Sequence, residues 1–340
     1  MNDLVPPRRD LPQGRHEALR AHLIGELPAR RGMRHRRRLA VGGLAAAGLA
    51  AAAAVVVLVP AGGEDHGPVL TNVGATEVLT RASRAAAARP DLKPRPDQFL
   101  YVESRDYQRP GPDPEVEEGG AGKRRAWLSI DGRHAGLIRG SENGRKEEST
   151  WLCSNSAEGQ EGAANPTSRN PRVDLAHPPT GCRSEGALLT GMPNSVEAMR
   201  RWLYKHSHGD NPPDVQAFTT VGDSIREHYV QPRTLSLLFA AAARLPGVTV
   251  TRGVTDLAGR KGIAVGQTWQ QVRKELIFDA RTYALLGERT VVDLQSTWRP
   301  SGASPSPSGS ARAPGKQGTV LYASAELKMA VTDRAGQQPR

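Results

Sequence analysis

Leu39 to Val59 is a run of 21 residues without a charge or a polar side chain, built from nine Ala, five Val, four Leu and three Gly. At about 1.5 Å of rise per residue, a helix of that length spans roughly 30 Å, the hydrocarbon thickness of a bilayer. A helix also satisfies its backbone hydrogen bonds internally, as lipid requires. Arg30, Arg31, Arg34, Arg36, Arg37 and Arg38 precede the run, whereas Pro60 to Pro68 holds only Glu64 and Asp65 as charges. The positive-inside rule then places residues 1–38 in the cytoplasm and the bulk of the chain outside. A cleaved signal peptide is the competing reading, because Arg37-Arg38 and Val59-Pro60-Ala61 fit one loosely. The 38-residue leader and the 21-residue run are long for a signal. The expectation is therefore a retained anchor at 39–59, crossing the cell membrane once.

Charge supports that division. The 340 residues carry a formal net charge of +11, and residues 1–38 alone hold 10 Arg against four acidic residues, a net of +6. A basic excess gathered beside an apolar run points to anionic membrane lipid rather than to a specific nucleic acid. Within the tail, Leu19, Leu23, Ile24 and Leu27 fall on one stripe of a short helix that stops before Pro28. That stripe has nothing in its own tail to pack against. It lies on the inner leaflet, binds a cytosolic partner, or belongs to a frayed segment.

Beyond the anchor, residues 60–75 read as a linker and 76–335 as one extracytoplasmic domain. Thr76 to Arg89 is a helix with Thr76 as its cap, Phe99 to Arg105 a strand, and Arg125–Ile130 with Arg133–Ile138 a hairpin around Asp131-Gly132. Helices follow at Ser195–Lys205, Asp214–His228 and Thr234–Arg244, bounded by Ser195, Pro212-Pro213 and Pro246. Period-two patterns then predict short strands at Gly247–Arg252, Gly262–Gly266, Glu275–Asp279 and Tyr283–Leu286. Longer ones follow at Val292–Trp298 and Leu321–Val331. The order implies an α+β fold, a curved antiparallel sheet with helices on one face. With 36 Gly and 26 Pro in the chain, the stretches at about 108–122, 154–185 and 300–318 are expected to be disordered loops.

Cys153 and Cys182 are the two cysteines, and both fall on the oxidising side of the membrane at the ends of a polar stretch. A disulfide closing that loop is the expectation, with free thiols and a metal site as alternatives. No Cys-x-x-Cys or His-x-x-x-His spacing accompanies them, so no metal is expected. Gly259-Arg260-Lys261-Gly262 has the residues of an anion loop but no following helix, which makes it a basic β-turn. His206-Ser207-His208 reads as a solvated helix end. No nucleophile, acid/base, phosphate or cofactor signature survives inspection, so no enzyme is expected. Trp127, Trp269 and Trp298 are ordinary core residues or, in a curved sheet, the lining of an apolar pocket for a lipid or hydrophobic peptide.

The segments Leu79-Thr80-Arg81-Ala82, Asp97-Gln98-Phe99-Leu100-Tyr101-Val102, Leu245-Pro246-Gly247-Val248, Glu275-Leu276-Ile277-Phe278-Asp279 and Leu285-Leu286-Gly287-Glu288 carry a resemblance. Together with the anchor, they resemble a group of actinobacterial single-pass membrane proteins of unknown function, often encoded beside extracytoplasmic-function sigma factors. The late segment, with Gly259-Arg260 in a turn and Ile277-Phe278-Asp279 before Thr282, is also similar to the half-barrel sheet of lipoprotein carriers and of a related periplasmic sensor that regulates an anti-sigma factor. That likeness implies helices in the concavity of a sheet, an apolar pocket and no catalysis. The chain lacks the His-x-x-x-Cys-x-x-Cys zinc motif of true anti-sigma factors. The functional expectation is a membrane-anchored sensor or binding protein, possible partner a cytosolic sigma factor. The alternative is an envelope lipid or lipoprotein carrier without signalling.

Overall fold

The computed structural model describes residues 72–109, 120–153, 174, 177–207, 209, 211–301 and 315–339. All of them belong to one compact unit that begins at Pro68. The expected anchor at 39–59, the expected tail stripe of Leu19, Leu23, Ile24 and Leu27, and most of the expected linker lie outside the described residues. Among the described residues no helix is long and apolar enough to cross a membrane.

Four helices are described: α1 (Asn72–Ala87), α2 (Val196–Lys205), α3 (Pro213–Arg226) and α4 (Pro232–Ala242). Nine strands accompany them: β1 (Phe99–Gln108), β2 (Gly120–Ser129), β3 (Gly136–Glu142), β4 (Glu148–Leu152), β5 (Thr249–Thr255), β6 (Lys261–Trp269), β7 (Val272–Asp279), β8 (Leu285–Val292) and β9 (Val320–Thr332). They form one curved antiparallel sheet in the order β4-β3-β2-β1-β9-β8-β7-β6-β5. The last strand in sequence thus sits in the middle, joining two meanders. This is the α+β architecture expected.

Local chemistry sets most boundaries. Ser195 accepts a hydrogen bond from the Ala198 N–H and caps α2, satisfying one of the donors a helix start leaves open. Pro213 and Pro232 occupy the first positions of α3 and α4, where the missing N–H costs nothing. Three expectations need correction. α1 starts at Asn72, so Thr76 lies one turn inside the helix and is not its cap, and residues 72–75 are helix and not linker. Val292–Trp298 is not a strand: β8 ends at Val292 because Asp293, buried, turns the chain by accepting from Thr268 Oγ1 and from the Gln295 N–H, leaving Leu294 exposed. The loop expected at 108–122 is shorter, since Gln108 and Gly120 still pair. β4 carries no clear alternation and had no counterpart in the sequence reading.

The helices cover β5, β6 and β7. Leu79, Leu238, Phe239 and Val221 are fully buried there against Val250, Val265, Leu276 and Phe278, with Phe239 and Phe278 edge to face at 5.3 Å. On the same face of β1 and β2, Leu100, Val102, Ala126 and Leu128 pack under Ala187 and Tyr229. Alternation sends the intervening residues to the opposite face. There Tyr101, Trp127, Leu137 and Trp151 form a second cluster beside Cys182, and Val254, Ala264, Ile277 and Leu286 a third.

Candidate functional site

The two apolar regions on the helix side do not meet. Between them, β8, β9 and β1 present a polar band, reached from above by the end of α3. Strand pairing places Leu276 opposite Glu288, Glu288 opposite Ser324, and Ser324 opposite Asp106. The next row runs from Glu326 through Ser104 to Arg124. The apolar Leu276 of β7 therefore gives way to the charged Glu288 on the next strand.

Arg226, the last residue of α3, forks onto Glu288: Nη2 donates to Oε2 at 2.7 Å and Nε donates to Oε1. Its Nη1 also donates to Asp223 at 3.1 Å, and its guanidinium stands 6.0 Å from the Tyr322 ring centre. Burial opposes the Arg226 charge, but the Glu288 carboxylate outweighs it and raises the pKa. Burial and the nearby Glu288 charge push the Tyr322 phenol up. Gly222 faces this pair, and a Cβ there would lie 3.6 Å from Glu288 Oε2, so α3 rests close over β8.

One step along the band, Arg124 Nη2 approaches Glu227 Oε1 to 2.7 Å as an ion pair whose angles do not make a hydrogen bond; the same buried nitrogen has no hydrogen-bond partner among the described residues. His228 Nδ1 is in the same condition. Ser104, buried, donates to Asp106 at 2.8 Å. Burial pushes the Glu326 carboxyl up, and Arg89 and Arg260 offset this only in part. Lys274 Nζ reaches Thr219 Oγ1 at 3.5 Å. The result is a strip of opposed, partly desolvated charges suited to recognising a polar or charged group.

The sequence-predicted sites are distributed differently. Cys153 and Cys182 form the expected disulfide, tying the end of β4 to the segment that covers Trp127. The three tryptophans are not brought together. Trp127 is fully buried on the face away from the helices, with its Nε1 donating to the Gln337 carbonyl at 2.6 Å. Trp269 ends β6, with four strands between it and β2 in the sheet order. Trp298 lies over Gly247, where an added Cβ would come within 2.1 Å of its ring. In place of an apolar pocket, the middle of the helix side is polar. Gly259-Arg260 is a turn in which Arg260 donates to Asp256 and to the carbonyls of Leu286 and Glu326, stitching β8 to β9. His206 stacks on Trp202 at the end of α2. Among the described residues no group of three His, Cys, Asp or Glu could hold a metal ion.

Arg124, Arg226, Glu227, Glu288, Tyr322 and Glu326 are not among the site residues expected from the sequence. The only signal was the polar set Tyr322, Ser324 and Glu326, which reads as a solvent face. No protein-family model matches the chain, and no curated protein matches it in sequence. Among solved structures, it is similar to the complex structure of Pseudomonas aeruginosa MucA/MucB, with 10% sequence identity and a TM-score of 0.26 over 78% of this chain and 59% of that one. The chain thus spans less than two thirds of that neighbour, and a score so low establishes no shared arrangement.

Proposed function

We propose that the chain is a non-enzymatic, membrane-anchored binding or sensor protein whose outer domain recognises a polar partner through the band centred on Arg226 and Glu288. The observation that carries this reading is the replacement of apolar side chains by ion pairs on the middle strands of the helix side. An acyl chain laid there would desolvate charges without pairing them, which is costly. A polar segment of a partner could exchange hydrogen bonds with Arg124, Glu227 and Glu326 instead. This supports a sensor over a lipid carrier. The cytoplasmic stripe of Leu19, Leu23, Ile24 and Leu27 would pass the signal to a cytosolic regulator, with a sigma factor as the expected partner.

The test is capture of cytosolic partners by the full chain in its membrane. Leu23→Asp should abolish capture of a sigma factor, and Glu288→Lys should change it from outside. Equal capture by the parent chain and both variants would remove the signalling role.

A further inference from the structure

On β1, β2 and β3 the face of the sheet opposite the helices carries a second charged surface, in which cations outnumber the carboxylates Glu103 and Glu147. On β1 and β2, Arg105 lies directly opposite Lys123; on β2 and β3, Arg125 lies directly opposite Arg139. Like charges facing each other across strands destabilise a sheet. Arg125 is relieved by an ion pair with Glu147, and Arg139 lies 5.4 Å over the Trp127 ring. Arg105 and Lys123 make no ion pair or side-chain hydrogen bond among the described residues. Lys123 is exposed and Arg105 half-buried, while Arg145 and Lys146 stand exposed in the turn between β3 and β4. Lys328, also exposed, pairs in register with Glu103 beside them. A rigid sheet holds these groups in one plane, spaced by the strand separation of about 4.8 Å.

We propose that this face docks on the anionic headgroups of the membrane in which the chain is anchored. The inference rests on the anchored reading above. In that reading 12 residues separate Val59 from Asn72, so the tether reaches at most about 40 Å. Confinement to that distance raises the effective concentration of headgroups, and weak phosphate contacts of four to six cations then suffice. Docking would orient the polar band away from the bilayer, toward an envelope partner.

The experiment uses the full chain, labelled with a fluorophore at Ala121→Cys, an exposed position two residues from Lys123 on the same strand face, and reconstituted into vesicles containing headgroup-quencher lipid. Vesicles of phosphatidylcholine alone are compared with vesicles containing phosphatidylglycerol. Strong quenching is expected only with phosphatidylglycerol, and it should vanish in 1 M salt, where screening shortens to about 3 Å. Arg105→Glu with Lys123→Glu should lower the ratio of docked to undocked chain by about tenfold. The single variant Lys123→Glu should weaken docking without lowering Tm, since it places opposite charges across β1 and β2. Equal quenching in both vesicles, or quenching that survives the double reversal, would overturn docking. A chain that does not float with either vesicle would overturn the anchor itself, a separate and recognisable failure.

Discussion

Gly266 lies directly opposite Glu275, and a Cβ on Gly266 would stand 2.7 Å from the Glu275 Cγ and 2.3 Å from the Lys274 carbonyl oxygen. The missing side chain opens the space in which Glu275, almost fully buried, accepts from Arg273 Nε at 2.7 Å, Arg289 Nε at 2.5 Å and Thr251 Oγ1 at 3.0 Å. Arg273 in turn donates to Thr249 through Nη1 and Nη2. One residue on β6 thus lets side chains of β5, β7 and β8 share a buried charge network. Gly266→Ala should destabilise the domain by about 1–3 kcal/mol, the usual cost of overpacking, measured as a lower urea midpoint at unchanged slope.

Removing the central carboxylate should cost more. Glu275→Gln leaves Arg273 and Arg289 without their counter-charge, a loss of about 3–5 kcal/mol for a broken buried pair. Burial pushes the Glu275 carboxyl up, but Arg289 and Arg273 outweigh it and hold it below the ordinary value of 4.5. A carboxyl depressed by folding contributes stability that is present above its unfolded pKa and lost as pH falls through the folded one. Thermal melts should therefore show the parent chain losing its advantage over Glu275→Gln below about pH 4.

Glu326 should behave in the opposite sense. Its carboxyl is raised by burial, with Arg89 and Arg260 only partly offsetting this. The folded state then favours the protonated form, so stability falls as pH rises through the raised pKa. Glu326→Gln should melt higher than the parent chain at pH 7 and no higher at pH 3. A lower Tm at both pH values would show instead that the carboxylate is needed as a charge.

Arg226 and Glu288 should be coupled. In a double-mutant cycle with Arg226→Ala and Glu288→Ala, the interaction energy from chemical denaturation should be about 1–3 kcal/mol, the range for contacting charged residues within one network. A value near zero would mean that the fork does not hold α3 to the sheet.

The disulfide closes a loop with a sequence separation of 29. In the chain-entropy account its removal costs about 3–4 kcal/mol. Cys153→Ser with Cys182→Ser should lower Tm accordingly, with hydrogen exchange rising first around Trp127 and Trp151, which the bridge packs against.

How much of this was legible depended on the range of the cause. Ser195 and Pro213 act on their own helix starts and Pro246 on a helix end, so α2, α3 and α4 could be placed within a few residues. The polar band was hidden by one residue. Leu321, Ala323, Ala325, Leu327, Met329 and Val331 alternate in sequence with Tyr322, Ser324, Glu326 and Lys328, which predicts one uninterrupted strand with a single apolar face. In the sheet, Glu103 pairs with Lys328 and Ser104 with Glu326, so Leu327 is an extra residue. A bulge reverses which side chains face which way. Tyr322, Ser324 and Glu326 therefore turn toward the helices, while Met329 faces them beyond the bulge. The tryptophans failed for a related reason: hydrophobicity marks a residue as buried without saying on which face of which strand.

The chain by itself determined the starts of α2 and α3, its disulfide partners and the antiparallel α+β class, because caps, a single cysteine pair and period-two patterns act locally or admit one solution. Only the tertiary structure decided that β9 joins the two meanders, that a bulge changes its phase, and that Arg226 meets Glu288 across 62 residues. Those contacts depend on strand order and register, which arise when distant segments compete for the same sheet edge.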